Sequence, residues 1–125
     1  MSKNPLRRSF ACAFNGLAYG ALRERNFKIH LAAAAVAVTA GFCLNITRIE
    51  WAIIMLTIFM VLAAEMINTA IENTVDMYSG DYCYQAKIAK DAAAGGVLLT
   101  ALNAVVVAIL IFGPYLKRIV AGGMF

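Results

Sequence analysis

The sequence predicts an all-α membrane protein with three transmembrane helices and an N-terminal amphipathic surface helix. Three observations carry that expectation. Of 125 residues, 62% are hydrophobic and 14% charged, against about a quarter charged in an ordinary soluble domain. The apolar sequence is gathered into three runs, each near or above the roughly 17 helical residues that a bilayer crossing needs. Basic residues crowd ahead of the first run. A single domain over residues 1–125 is expected, because a short chain spent mostly on crossings keeps no separate soluble unit.

The surface helix is expected at about residues 5–26. Leu6, Phe10, Ala13, Leu17 and Ala21 recur at helical spacing, the pattern of a helix lying in the membrane interface. Glu24 continues that stripe and is expected to face the bundle. Span one, about 29–46, is almost wholly apolar and rich in alanine. A polar break at Asn45, Thr47, Arg48 and Glu50 follows. Trp51 then opens span two, about 51–76, at the level where an interfacial aromatic belongs. Met77 to Lys90, with Gly80, Asp81 and several tyrosines, reads as a polar connection. Span three, about 91–115, is expected to end at Gly113 and Pro114.

Six of the eleven Lys and Arg residues, Lys3, Arg7, Arg8, Arg23, Arg25 and Lys28, precede span one, whereas the following loop holds only Arg48. The positive-inside rule therefore puts the N-terminus and the Lys87/Lys90 loop in the cytoplasm. The expected location is the inner (plasma) membrane, multi-pass, with any chemistry at its cytoplasmic face. The basic start is followed by mixed sequence without a small-residue cleavage site, so no signal peptide is expected and the chain reads as mature. Cys12, Cys43 and Cys83 are an odd count in separate segments, without a Cys-x-x-Cys pair, which argues against a disulfide framework or a zinc site. The net charge of +4 lacks the aromatic-interleaved basic patch of a nucleic-acid surface.

The second half of span two is where chemistry concentrates. Glu65, Asn68, Glu72 and Asp76 are spaced by three, four and four residues, which aligns them on one helical stripe. Carboxylates at membrane depth cost roughly 2.5 to 3.5 kcal/mol each on insertion scales, so they are normally paired or functional. With the cytoplasm at the Asp76 end, such a ladder suits a hard divalent cation near the interface and a deeper carboxylate free to act as a base. The bland reading is interhelical glue, with hydrogen bonds across the bundle to Asn103 or Thr100. A small transporter is the other non-enzymatic reading, since intramembrane acids also mark ion pathways. Lys90, next to Asp91, stands at the same membrane face and could serve phosphate oxygens, although an interfacial anchor is the plainer role for a lysine there. The run from Ala92 to Gly96 reads as a close helix-packing surface. No glycine-rich phosphate loop is present. His30, at the mouth of span one, reads as an interfacial hydrogen-bonder.

These residues carry a family resemblance. "ALRERNFKIH" at 21–30, "EMINTAIENTVD" at 65–76 and "AKIAKDAAAGGVLL" at 86–99 resemble the small prokaryotic diacylglycerol kinases over nearly the whole chain. The stretch from Glu24 to His30 is closer to the undecaprenol kinase branch of Gram-positive bacteria. The resemblance implies a homotrimer of three-span subunits, with ATP and a membrane lipid as substrates and active sites shared between neighbouring chains. It implies phosphorylation of a lipid alcohol, undecaprenol first and diacylglycerol second. By position it implies Glu65 as catalytic base, Asn68 as the residue that positions acceptor or base, and Glu24 and Glu72 as ligands of a Mg²⁺ bridging the ATP phosphates. Lys90 would neutralise phosphate charge, and Asp76, Asp81, Tyr82, Cys83 and Asp91 would line the nucleotide site. The stretch Tyr82, Cys83, Tyr84 departs most from the family pattern.

Overall fold

The computed structural model describes residues 4–78 and 83–122. Within them the chain forms four helices, α1 (Pro5–Arg23), α2 (Arg25–Leu44), α3 (Arg48–Tyr78) and α4 (Tyr84–Val120). Among the described residues there is no strand. The last three helices are long and apolar enough to cross a membrane. α3 and α4 pair along their length as an antiparallel hairpin, α2 packs on α3, and α1 rests on the start of α2 and on α3.

Local chemistry sets each boundary. Asn4 caps α1 by accepting the Arg7 N–H at 3.2 Å, and Pro5 takes the first helical position, where its missing N–H is no loss. The chain then turns at one residue: Glu24 is extended, with φ −95° and ψ 118°, and belongs to neither helix. Turning there lets Phe27 bury itself against Gly20. α2 ends on Asn45 in the left-handed conformation at φ 55°, which asparagine tolerates better than most residues. Two residues later a capping box opens α3. The Glu50 N–H donates to the Thr47 hydroxyl at 3.2 Å, and the Thr47 N–H donates to Glu50 Oε1 at 2.9 Å, satisfying two otherwise orphan donors.

The chain is stitched most tightly at this end. Leu44, Ile46, Ile54 and Ile111 form the buried core, flanked by Trp51, Val107, Phe112 and Tyr115. Elsewhere the large apolar side chains of α3 and α4, among them Leu56, Phe59, Leu99 and Leu110, face outward, as lipid-facing residues do where the solvent is hydrocarbon.

Three features depart from the sequence-based expectation. α4 begins at Tyr84, so the second half of the expected polar connection is already helical. It also continues through Gly113 and Pro114 to Val120; an apolar surrounding penalises any break that would expose backbone groups, which is why proline is tolerated inside such helices. The run at Ala92 to Gly96 is not a packing surface within the chain, because a Cβ built on Gly95 or Gly96 meets nothing within 4 Å. Close approach occurs instead at Gly41, where a Cβ would lie 2.7 Å from the Trp51 indole, and at Gly20, against Met66. α1 therefore docks through its Gly16 and Gly20 flank, and Leu6, Phe10 and Leu17 remain exposed.

Candidate functional site

One helix face organises the site, and its burial is graded. Glu65 is 2% exposed and Asn68 8%; Glu72 is half-buried and Asp76 exposed. The gradient follows from packing. α3 runs from the capped turn toward the α1–α2 junction, so Glu65 lies under neighbouring helices while the last turns emerge at the end where α4 starts. Asn68 Nδ2 donates to Glu72 Oε1 at 3.2 Å, one helical turn on. Its Oδ1 is buried and has no partner among the described residues. Lys90, in the second turn of α4, donates to Asp76 Oδ1 at 2.6 Å. The structure thus gathers Glu65, Asn68, Glu72, Asp76 and Lys90 into one ladder, with a cation at its exposed end.

The remaining expected site residues are placed less uniformly. Glu24 sits half-buried at the α1–α2 turn rather than on a helical stripe, and its side chain forms no hydrogen bond or ion pair among the described residues. Cys83 holds the N-cap position of α4, where its exposed thiol lies 3.4 Å from Gln85 Oε1 and caps nothing. Asp91 pairs with Lys87 at 2.5 Å on the surface of α4. Asp81 and Tyr82 lie outside the described residues. The glue reading finds no support at its named partners: the Thr100 hydroxyl donates within its own helix to the Val97 carbonyl at 2.7 Å, and Asn103 is exposed.

His30 is the residue whose place the sequence reading missed. Its Nε2 lies 3.1 Å from Glu65 Oε1, with 23% of the His30 side chain and 3% of the Glu65 side chain exposed. The approach is close but out of line, so Oε1 receives no directed hydrogen bond. Antiparallel packing of α2 on α3 creates this contact. A pairing of the chain's single histidine with the deepest acid, at similar distances from the α2–α3 turn, is the signal that could have found it. His30 also forms the polar end of a groove of about 230 Å³ between α2, α3 and α4, whose walls are otherwise apolar apart from Thr57 and include Ala34, Ala37, Val61 and Phe112.

A hard cation is compatible with this arrangement only as a shared ligand. Among the described residues no three His, Cys, Asp or Glu side chains converge into a cage. Mg²⁺ is usually held by one or two carboxylates, with phosphate oxygens and water completing six ligands. A half-buried Glu72 and a Glu24 without a side-chain partner among the described residues are donors of that kind.

Comparison with known proteins points the same way. The model of the prokaryotic diacylglycerol kinase family matches residues 11–112. The chain is 42% identical over 113 residues to an undecaprenol kinase of Bacillus subtilis, covering 90% of this chain and 92% of that one. It is 39% identical over 118 residues to a diacylglycerol kinase of Synechocystis sp., covering 85% of this chain and 67% of that protein.

Proposed function

Because the chain belongs to the prokaryotic diacylglycerol kinase family and is a lipid kinase that uses ATP, we propose that its acceptor is the hydroxyl of undecaprenol, phosphorylated at the cytoplasmic face of the inner membrane. The observation that carries the site is the graded ladder on α3: a buried carboxylate at its inner end, an amide one turn on, a half-buried Glu72, and an exposed Asp76 paired with Lys90 at its outer end.

In this reading Glu65 accepts the proton of the lipid hydroxyl while that oxygen attacks the γ-phosphorus. The bond from the γ-phosphorus to the β–γ bridging oxygen breaks, and ADP leaves with the electron pair. Asn68 positions the acceptor or the base, while its Nδ2 donates to Glu72. Glu24 and Glu72 would hold Mg²⁺, which supplies charge neutralisation on the triphosphate. Lys90, reaching from α4, neutralises phosphate oxygens as Asp76 releases it, and Asp76, Asp81, Tyr82, Cys83 and Asp91 border the nucleotide. Positioning and electrostatics dominate phosphoryl transfer, so no further covalent chemistry is required of the protein. The apolar groove that includes His30 suits a hydrocarbon chain whose hydroxyl stops at the imidazole beside Glu65. α1 lies along the membrane surface on its exposed Leu6, Phe10 and Leu17 stripe, and three chains assemble so that neighbours complete each site.

Diacylglycerol is the second acceptor, favoured by the similarity to the Synechocystis enzyme. Transfer of labelled γ-phosphate from Mg·ATP to detergent-dispersed undecaprenol and diacylglycerol, side by side, separates the two. Label chiefly on undecaprenol, lost in Glu65→Gln, is the expected result. Label chiefly on diacylglycerol reverses the acceptor assignment, and undiminished transfer by Glu65→Gln removes Glu65 as the base.

A further inference from the structure

Glu65 is the most deeply buried member of the ladder, and its one close charged or titratable neighbour among the described residues comes from another helix. His30 Nε2 stands 3.1 Å from Glu65 Oε1, yet the imidazole is not aligned to donate, and Oε1 is left without a directed hydrogen bond. A buried carboxylate oxygen in that condition is unfavourable. A small rotation of the ring corrects it, and catalytic hydrogen bonds that are misaligned before substrate binds commonly tighten in the reacting complex. His30 also lines the apolar groove, so a hydroxyl arriving along the groove meets the imidazole that stands against Glu65.

We infer that His30 is the positioning residue of Glu65: its Nε2–H closes onto Oε1 in the reacting complex and turns Oε2 toward the acceptor hydroxyl. This rests on Glu65 as the base. The proton of the hydroxyl passes to Oε2, the oxygen's electron pair forms the new bond to the γ-phosphorus, and ADP departs with the electrons of the broken bond. His30 keeps its proton throughout. The carboxylic acid returns its proton to water after product leaves. A structural consequence is that α2 and α3 share the site, so the placement of α2 bears on the rate through His30.

The test uses the full-length enzyme in mixed micelles, with initial rates measured against both Mg·ATP and lipid for His30→Ala, His30→Gln, His30→Leu and Glu65→Gln. His30→Ala is expected to lower kcat about 10- to 100-fold, the scale of a reacting group misplaced by up to about 1 Å. KM for Mg·ATP should stay within about twofold. Added imidazole should restore part of the His30→Ala rate and none of the Glu65→Gln rate, and His30→Gln, which keeps an N–H donor, should exceed His30→Leu about tenfold. A wild-type kcat in His30→Ala, a loss confined to KM for Mg·ATP, or equal rates for Gln and Leu without imidazole rescue would overturn the inference. If the Ala variant does not fold, the Gln-to-Leu comparison decides alone. Undiminished activity of Glu65→Gln would instead remove the base, which separates failure of that reading from failure of this one.

Discussion

The Tyr115 hydroxyl donates to Glu50 Oε1 at 2.5 Å, joining the last turns of α4 to the first turn of α3 across 65 positions of sequence. The same carboxylate oxygen accepts the Thr47 N–H, and the Arg118 guanidinium lies 4.9 Å above the Tyr115 ring. Capping box, phenol and cation form one latch at the end of the bundle away from the acidic ladder. Tyr115→Phe is therefore expected to lower the midpoint of thermal unfolding in detergent by a few degrees while kcat stays within about twofold of wild type, because a removed hydrogen bond loosens the hairpin without touching the site. A large fall in kcat with an unchanged midpoint would contradict this division of labour.

Gly41 is the described glycine with the least room for a side chain. Its substitution by alanine drives a Cβ to within 2.7 Å of the rigid Trp51 indole, an overpacking expected to destabilise by about 1 to 3 kcal/mol. Gly96→Ala meets open space within the chain and should leave the unfolding free energy of the single chain unchanged or raised, since alanine is the better helix former. Unfolding in mixed SDS micelles measures both. Trp51→Phe added to Gly41→Ala should recover part of the loss; equal stability of the two glycine variants would show that the indole swings away freely.

Asn68 presents a different balance. Its buried Oδ1 lacks a partner, so replacement by leucine removes a group whose burial costs about 1 to 3 kcal/mol when unsatisfied. Asn68→Leu is expected to be as stable as wild type, or up to about 1 kcal/mol more so, and to lose most of its kinase activity. Paired unfolding and turnover measurements test this. A marked loss of stability would make Asn68 a structural residue whose polar atoms are satisfied by neighbours.

Lys90 and Asp76 form a close pair, but both side chains are largely open, 41% and 62% exposed, and exposed pairs contribute little to folding. Lys90→Met should therefore raise KM for Mg·ATP about tenfold or more, with an unfolding midpoint close to wild type. Asp76→Asn, which frees the lysine, should perturb KM less than Lys90→Met. An unfolding midpoint lowered in both variants, with KM unchanged, would assign the pair to the fold rather than to phosphate.

Much of this was written in the sequence because membrane helices are specified locally. Apolar length decided that Arg25–Leu44, Arg48–Tyr78 and Tyr84–Val120 would each be long enough to cross, since a bilayer leaves the backbone no alternative to intrahelical hydrogen bonds. The spacing of Glu65, Asn68, Glu72 and Asp76 likewise aligned them through helix geometry alone. Tertiary structure decided what each face meets. Only packing turned Glu24 from a helical residue into a hinge, left Gly95 and Gly96 open, and brought His30 to Glu65. The physical reason is common to all three. A local pattern states which residues share a face, whereas the partner of that face depends on how helices far apart in sequence come to rest against one another.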